Sequence, residues 1–401
     1  MEILVQKFGG TSLANEENRE KVAEKIIKKH REGYKMVIVV SAIGRKENPY
    51  STDSLISLID KRNIKKRELD LLMSCGEIIS AAVLSSLLNS KNMKNTVLTG
   101  SQAGIVTNDT FTNAKVLQVN PNAIVNKLKE DNIVIVTGFQ GITKDGNVTT
   151  LGRGGSDTTA VLLGEAMGCK CIEIYTDVNG IMTADPRVVP DAKLLEKLSY
   201  KDVYQLAENG AKVIHPRAVE VAERSNLNLV IKNTLKDSKG TIINNKKNDN
   251  LAEPRGKIIN AITCKNNKSQ IIIYRNKRNP SIEKLMDKLS KNNISIDLIN
   301  LLWDKIIFTI DSDDLETIEE ILKNNYDKFK ITNNCSKISI IGHRMKGRPG
   351  VMNKIVKSLC KENIDILQTS DSHTTIWCLI KEKNATKAIR SLHKEFQLNE
   401  K

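Results

Sequence analysis

The runs KMVIVVSA and NIVIVTGF are short, rich in Val and Ile, and almost unbroken in apolar character, and KCIEIYTD reads as a further strand. A strand with one wet face alternates apolar and polar residues, whereas a strand buried on both faces does not. EILVQKF opens the chain in a strand pattern, residues 16–30 and 65–90 read as helices, and NTVLTG adds another strand, with helical segments between most of these runs. The alternation predicts a mostly parallel sheet covered on both faces, a three-layer αβα domain. Ligands of such sheets bind at the carboxyl ends of the strands.

After Asn233 the pattern changes. KDSKGTIINNKKNDNLAEPRGK, residues 236–257, is polar, rich in Asn and Lys and contains Gly and Pro, so it reads as a linker. Beyond it one order of elements occurs twice. KIINAITCKNN and SQIIIYRN are strands, SIEKLMDKLSKNN a helix, ISIDLINLL and KIIFTI strands, and DLETIEEILKNN a helix. SKISIIGHR, GVMNKIVKSLCKEN, IDILQTSD, TTIWCLIK and ATKAIRSLHKEF then repeat strand, helix, strand, strand, helix. The expected division is a large α/β domain over 1–235, the linker, and two ferredoxin-like βαββαβ modules over 258–334 and 335–401.

The 401 residues suffice for two or three domains, each with its own core. The formal charge is +15, but Lys and Arg are dispersed among Glu and Asp, and aromatic residues make up only 4%. That excludes a base-stacking nucleic-acid surface and leaves a field mildly favourable to anionic substrates. Seven cysteines, an odd number in mostly apolar contexts, fit reduced thiols in a cytoplasmic protein. MEILVQKFGG lacks the pattern of a signal peptide, and no window approaches about 18 uninterrupted apolar residues.

Chemistry is expected at five places. In KFGGTS, Gly9 and Gly10 let the backbone approach an anion and Lys7 adds a charge; the same residues also suit a tight strand-helix turn capped by Ser12. In SCGEIISA, Gly76 costs a helix about 1 kcal/mol relative to Ala. Glu77, in apolar company, calls for a cationic partner, either a substrate ammonium or a Lys or Arg of the protein. TGFQG, residues 137–141, follows a strand. TLGRGGSDTTA lacks the lysine of a Walker loop and has Asp157 where a dinucleotide loop has its last glycine. There Arg153 offers a planar fork for a carboxylate, while Ser156 and Asp157 also suit a helix cap and first turn. YTDVNGIMTADPR places Thr176 and Asp177 at a strand end, and GAKVIHPRA adds Lys212 and His215.

KFGGTS, GRGGSDTTA, TDVNGIMTADPR and GAKVIHPRA, in this order and followed by paired modules, closely resemble the aspartokinases over essentially the whole chain. The resemblance implies an amino acid kinase fold followed by two ACT domains. It implies transfer of the γ-phosphoryl group of ATP to the side-chain carboxylate of L-aspartate, with Mg2+ bound mainly through the ATP phosphates and no dedicated metal site.

By motif match, Lys7, Asp157 and Lys212 are catalytic, Asp157 orienting the two lysines. Glu77, Phe139, Arg153 and Ser156 form the aspartate pocket. Lys7, Gly9, Gly10, Ser12, Thr176, Asp177, Met182, Arg187 and Lys212 bind the nucleotide. Met182 departs from the aromatic residue common in the family, and His215, beside Pro216, is expected to be structural. Asp297, Met345, Gly350, Gln368 and Thr369 match effector positions, with Asp297 equally readable as a plain strand-end carboxylate and Leu301 standing at a commonly polar place. Lysine, threonine and meso-diaminopimelate all remain possible effectors. GRKENPYSTDSLISL and ILQTSDSHTTIWCLI resemble most the diaminopimelate-sensitive aspartokinases of spore-forming Gram-positive bacteria. The partners implied are L-aspartate, the effector and a second copy of the chain, in a homodimer paired through the ACT modules.

Overall fold

The computed structural model describes residues 2–46, 48–60, 62–211, 213–245, 259–275, 281–342, 345 and 349–400. They form two compact units that interleave along the chain. The first comprises Met1–Ile181, Leu194–Glu208 and Lys212–Asn248, the second Met182–Lys193, Asn209–Ala211 and Asp249–Lys401.

The first unit is built on an eight-stranded sheet. Its strands, in spatial order, are β10 (Lys197–Leu198), β12 (Thr241–Ile243), β11 (Asn228–Asn233), β9 (Cys171–Thr176), β1 (Ile3–Phe8), β2 (Lys35–Val40), β6 (Ile133–Thr137) and β3 (Asn95–Leu98). All neighbours are parallel except β11 and β12. Residues 241–243, within the stretch read as linker, are therefore a sheet strand, too short and polar in its surroundings to signal itself. Residues 246–257 of that stretch lie outside the described residues.

Helix α1 (Glu16–Arg31) starts where Asn15 accepts the Asn18 N–H, with Glu16 and Glu17 in its first turn and basic residues in its last. Its Val22, Ala23 and Ile26 pack with Leu84 and Leu88 of α3 (Lys66–Ser90) on the sheet's Phe8, Ile38 and Ile135. Helix α3 is long and apolar enough to cross a membrane by length and composition, but it is a core helix with Asp70 and Glu77 buried along it. Gly76 in its middle is explained by close approach. A β-carbon there would lie 2.7 Å from Ala42 Cβ, in the loop after β2.

A second, smaller sheet was not legible in the sequence. It runs β5 (Val116–Val119), β4 (Ile105–Thr107), β7 (Gln140–Ile142), β8 (Val148–Thr150), strands of three or four residues. It brings TGFQG beside the glycine loop. Asp70 fastens it to α3, accepting the Thr150 N–H at 2.8 Å, the Thr150 hydroxyl at 2.7 Å and the Thr112 N–H at 2.9 Å. Bonds to a charged acceptor contribute roughly 1.5–3 kcal/mol each. Burial raises the Asp70 pKa despite them. The remaining helices of this unit are α2 (Thr52–Ser57), α4 (Asn122–Lys129), α5 (Gly155–Ala166), α6 (Tyr200–Glu208) and α7 (Pro216–Arg224).

The second unit carries one six-stranded sheet. In order these are β14 (Asp297–Leu301), β15 (Lys305–Asp311), β13 (Ile259–Tyr274), β16 (Phe329–Gly342), β18 (Thr375–Lys381) and β17 (Gln368–Asp371). Helices α8 (Ile282–Lys291), α9 (Leu315–Lys323), α10 (Val351–Lys361) and α11 (Ala385–Glu395) pack against it. INAITC and SQIIIY, expected to belong to two strands, are in one 16-residue strand with a register shift between Lys265 and Lys268. Both βαββαβ patterns use it. Gln270–Ile273 pair with Phe329–Thr332 in the first module, and Ile259–Cys264 pair with Ile338–Gly342 in the second. The second module thus takes its outer strand from chain that precedes the first.

Candidate active site

Strands β9, β1, β2 and β6 lie side by side and parallel, so their carboxyl ends line one edge of the sheet. Lys7 is the last residue but one of β1, and its Nζ meets Asp157 Oδ1 at 2.7 Å, with both side chains almost enclosed. At that distance the ammonium and the carboxylate form a close ion pair. The backbone at Gly9 and Gly10 passes beneath. A β-carbon on Gly10 would lie 2.5 Å from the carbonyl oxygens of Ala42 and Gly44, and one on Gly9 would lie 3.5 Å from Lys7 Nζ. Ser12 caps nothing. It is buried, its Oγ 2.6 Å from Thr234 Oγ1, which ties the loop after β1 to the end of β11.

The glycine loop turns on two left-handed residues, Gly152 (φ 74°) and Gly154 (φ 70°), with the exposed Arg153 between them. A β-carbon on Gly154 would overlap the His215 ring, and Arg217 donates to the Leu151 carbonyl at 3.0 Å. His215 therefore backs the loop and caps α7, its Nδ1 accepting the Arg217 N–H, and burial lowers its pKa. Helix α5 begins with Gly154 as its cap, not Ser156; Ser156 and Asp157 stand buried in its first turn. An N-terminal turn favours an anion. The Ser156 Oγ leaves no room for a side chain at Gly138, where a β-carbon would approach it to 2.9 Å. Phe139 follows in a left-handed conformation (φ 69°), its N–H donated to Thr159 Oγ1 at 3.1 Å.

Glu77 is the most constrained group of the cluster. Its Oε1 accepts the Ala42 N–H at 3.0 Å, and its Oε2 is buried without a hydrogen-bond partner. Burial pushes its pKa up to about 8. Of the two cations the sequence left open, none from the described protein pairs with it. Ala42 also joins Glu77 to the phosphate-type loop, because its carbonyl faces Gly10.

Thr176 and Asp177 follow β9. Asp177 pairs with Arg45 at 2.7 Å in an exposed bridge and accepts the Thr176 hydroxyl at 3.1 Å. Met182 and Arg187 belong to the second unit, where Met182 packs on its apolar core and Arg187 forms a fork with Asp185 at 2.7 Å. Lys212 lies outside the described residues. Among the described residues no three His, Cys, Asp or Glu side chains converge as metal ligands. Sequence reasoning missed Arg45, Arg217, Thr234 and Asp70, which act through neighbours distant in sequence.

In the second unit, Asp297 is engaged with Lys337, and the pairing lowers its pKa against the effect of burial. Gln368 donates to the Leu298 carbonyl and to Asn300 Oδ1, joining the starts of β14 and β17. Thr369 pairs with Cys378 in the ladder, Met345 is buried in the core, and Gly350 (φ 93°) caps α10. Most of RMKGRPG and of RNKRNP lies outside the described residues.

A family model described as the amino acid kinase family matches residues 2–233, and an ACT domain model matches residues 330–394. Aspartokinase 1 of Bacillus subtilis is 42% identical over 404 residues, covering 100% of both chains. The chain belongs to the aspartokinase family. The structure of Clostridium acetobutylicum aspartate kinase covers 98% of this chain and 100% of its own, with a TM-score of 0.76 and 26% identity. Escherichia coli aspartokinase III, solved in complex with aspartate and ADP, shares the fold with a TM-score of 0.80 over 98% of this chain and 99% of its own, at 23% identity. The aspartokinase motifs KFGG, TGF and GRGGSD, far apart in sequence, are thus the segments that meet at one edge of the parallel sheet.

Proposed function

We propose that this chain is an ATP:L-aspartate 4-phosphotransferase, forming 4-phospho-L-aspartate and ADP at the edge of the parallel sheet. The observation that carries the reading is Glu77, a buried carboxylate with one oxygen left for a cation that the described protein does not supply. An α-ammonium group fits that demand, and Arg153, exposed between two left-handed glycines without an ion pair among the described residues, suits a carboxylate. Phe139 and Ser156 complete the pocket.

The aspartate side-chain oxygen, already ionised, forms the new O–P bond to the γ-phosphorus. The bond from that phosphorus to the β-phosphate oxygen breaks and ADP leaves with its electron pair. No proton need be removed, so the site supplies alignment and charge. Lys7, held by Asp157, neutralises the transferred phosphoryl group, with Lys212 as its expected second cation. Gly9, Gly10 and Ser12 line the phosphate path, and Thr176, Asp177, Met182 and Arg187 serve the nucleotide. Mg2+, which the family resemblance implies on the phosphate oxygens, would supply further charge neutralisation when bound.

The activity is the first step towards lysine, diaminopimelate, threonine and methionine, in a cytoplasmic homodimer controlled by an amino acid at the ACT modules. Asp297, Met345, Gly350, Gln368 and Thr369 are the proposed effector residues, with Lys337 the cation an effector ammonium would displace from Asp297.

Aspartate-dependent ADP release with Mg-ATP tests the reading. Repeating it with lysine, threonine and meso-diaminopimelate, singly and in pairs, names the effector. Release without dependence on aspartate refutes the acceptor. Arg153→Ala is expected to raise the aspartate KM roughly 10- to 100-fold with little change in kcat. An unchanged KM removes Arg153 from the pocket.

A further inference from the structure

Glu77 is one of three buried points along α3 that touch the pocket, all within the first unit. Asp70 stands seven residues before it, two turns away, on the same face and about 10 Å along the helix axis. Between them the Ser74 carbonyl accepts the Gln140 side-chain N–H at 3.1 Å. The three points reach three pieces of the site: Thr150, which leads into the glycine loop, Gln140, which follows Phe139, and Ala42, whose carbonyl faces Gly10.

Asp70 is buried, and no cation among the described residues is its partner. Its oxygens accept instead the Thr150 N–H at 2.8 Å, the Thr150 hydroxyl at 2.7 Å and the Thr112 N–H at 2.9 Å. An acceptor-only carboxylate suits three converging donors. Both partners lead to Gly152. Thr150 stands two residues before it, and Thr112 backs it, since a β-carbon on Gly152 would lie 3.2 Å from the Thr112 carbonyl oxygen. Thr112 is itself left-handed (φ 71°), which is rare for a β-branched residue, so its backbone needs a fixed partner.

Leu151 is pinned in turn, its N–H donated to the Phe139 carbonyl at 2.8 Å and its carbonyl accepting Arg217 at 3.0 Å. Arg153 follows between its two left-handed glycines, and its side chain has no hydrogen bond or ion pair among the described residues. The backbone on which it stands therefore sets its place.

We propose that Asp70 is a positioning residue for the aspartate, holding the start of the glycine loop so that Arg153 keeps a fixed separation from Glu77 on the same helix. The inference rests on the aspartate kinase reading above. The α-ammonium and α-carboxylate of an amino acid share one carbon, so groups that bind both at once tolerate little change in their spacing. Helix α3 is the rigid spacer, and Asp70 is where the loop is tied to it.

Asp70→Asn keeps the shape and removes the charge that strengthens the three bonds. Thr150→Val removes the hydroxyl bond alone, and Thr150→Ser retains it. Asp70→Asn and Thr150→Val are each expected to raise the aspartate KM roughly three- to tenfold, with the ATP KM within about twofold, and Thr150→Ser to keep the parent value. In an Arg153→Ala background, Asp70→Asn should add less than about twofold, because its effect passes through Arg153. A lowered melting temperature with an unchanged aspartate KM overturns the proposal. So do an equal rise in the ATP KM and full additivity with Arg153→Ala. Thr150→Val decides the matter should Asp70→Asn fail to fold.

A second arm reads the loop without turnover. Amide hydrogen exchange over residues 148–155 is expected to be about tenfold faster in Asp70→Asn, with β1 and β2 exchanging as in the parent. Unchanged exchange over the loop also overturns the proposal. Absence of aspartate-dependent turnover in the unmodified chain would instead refute the acceptor, and the exchange arm would still decide whether Asp70 holds the loop.

Discussion

Asp157→Asn is expected to lower kcat of aspartate-dependent ADP formation by roughly 10²–10³-fold, the usual effect of removing one preorganised charge group at a phosphoryl or oxyanion site. Asp157 does not touch the phosphate in this reading. It holds the Lys7 ammonium at 2.7 Å, above the backbone of Gly9, and the amide can accept a hydrogen bond but cannot fix a cation as firmly. Lys7→Met should reach a similar or larger loss. It differs in stability: it removes from the Asp157 carboxylate, 8% exposed, the counter-charge it has among the described residues. Stripping a fully buried pair of one partner costs about 3–5 kcal/mol, and residual solvent contact reduces that here. Steady-state kinetics and thermal unfolding of both variants separate the two effects. Turnover within threefold of the parent in both would remove the pair from the chemistry.

The parallel sheet was legible because strands buried on both faces are mostly apolar, and β2 and β6 advertise that; β9 instead carries the buried Glu173, paired with Lys232. What escaped was structure whose signal lies elsewhere in the chain. The three-residue strands β7 and β8 have no period to read; their position depends on Asp70, about 80 residues from Thr150, a buried carboxylate satisfied by the backbone it organises. Strand β13 was divided in two because CKNNKS interrupts its apolar pattern. Those polar residues sit at the register shift where the strand passes from one module to the other.

At the site, the motif residues were legible and their supports were not. Gly154 looks like one glycine among three, yet it is the His215 ring that dictates it. Ser12 and Ser156 were readable as helix caps from their places before helices. In the structure Gly9 and Gly154 occupy the cap positions, which frees both hydroxyls for other partners. Gly76 carried the clearest warning, since a mid-helix glycine is unfavourable unless something must come close. That something is Ala42, whose N–H binds Glu77 one residue along the same helix.

Glu77→Gln is expected to move stability and activity in opposite directions. With a folded pKa of about 8 against an ordinary value near 4.5, the free protein binds this proton more tightly than the unfolded chain does. The favourable contribution of the neutral acid is therefore full below pH 4.5 and is lost as pH rises from there to about 8. The linkage totals about 5 kcal/mol at alkaline pH. Glutamine is neutral throughout, so the variant should gain in melting temperature over the parent as pH rises to 8 and above, and match it near pH 5. Binding runs the other way. Only the ionised carboxylate attracts an ammonium, so the parent's aspartate KM should fall as pH rises through 8, and that dependence should vanish in the variant with KM raised roughly 100-fold. A parent whose KM is flat between pH 6.5 and 9, with a variant of normal KM, would make Glu77 a packing residue and leave the ammonium without its partner. The coupling has a physical cause: an oxygen left unsatisfied in the free protein destabilises the fold by about the free energy that an incoming cation can recover.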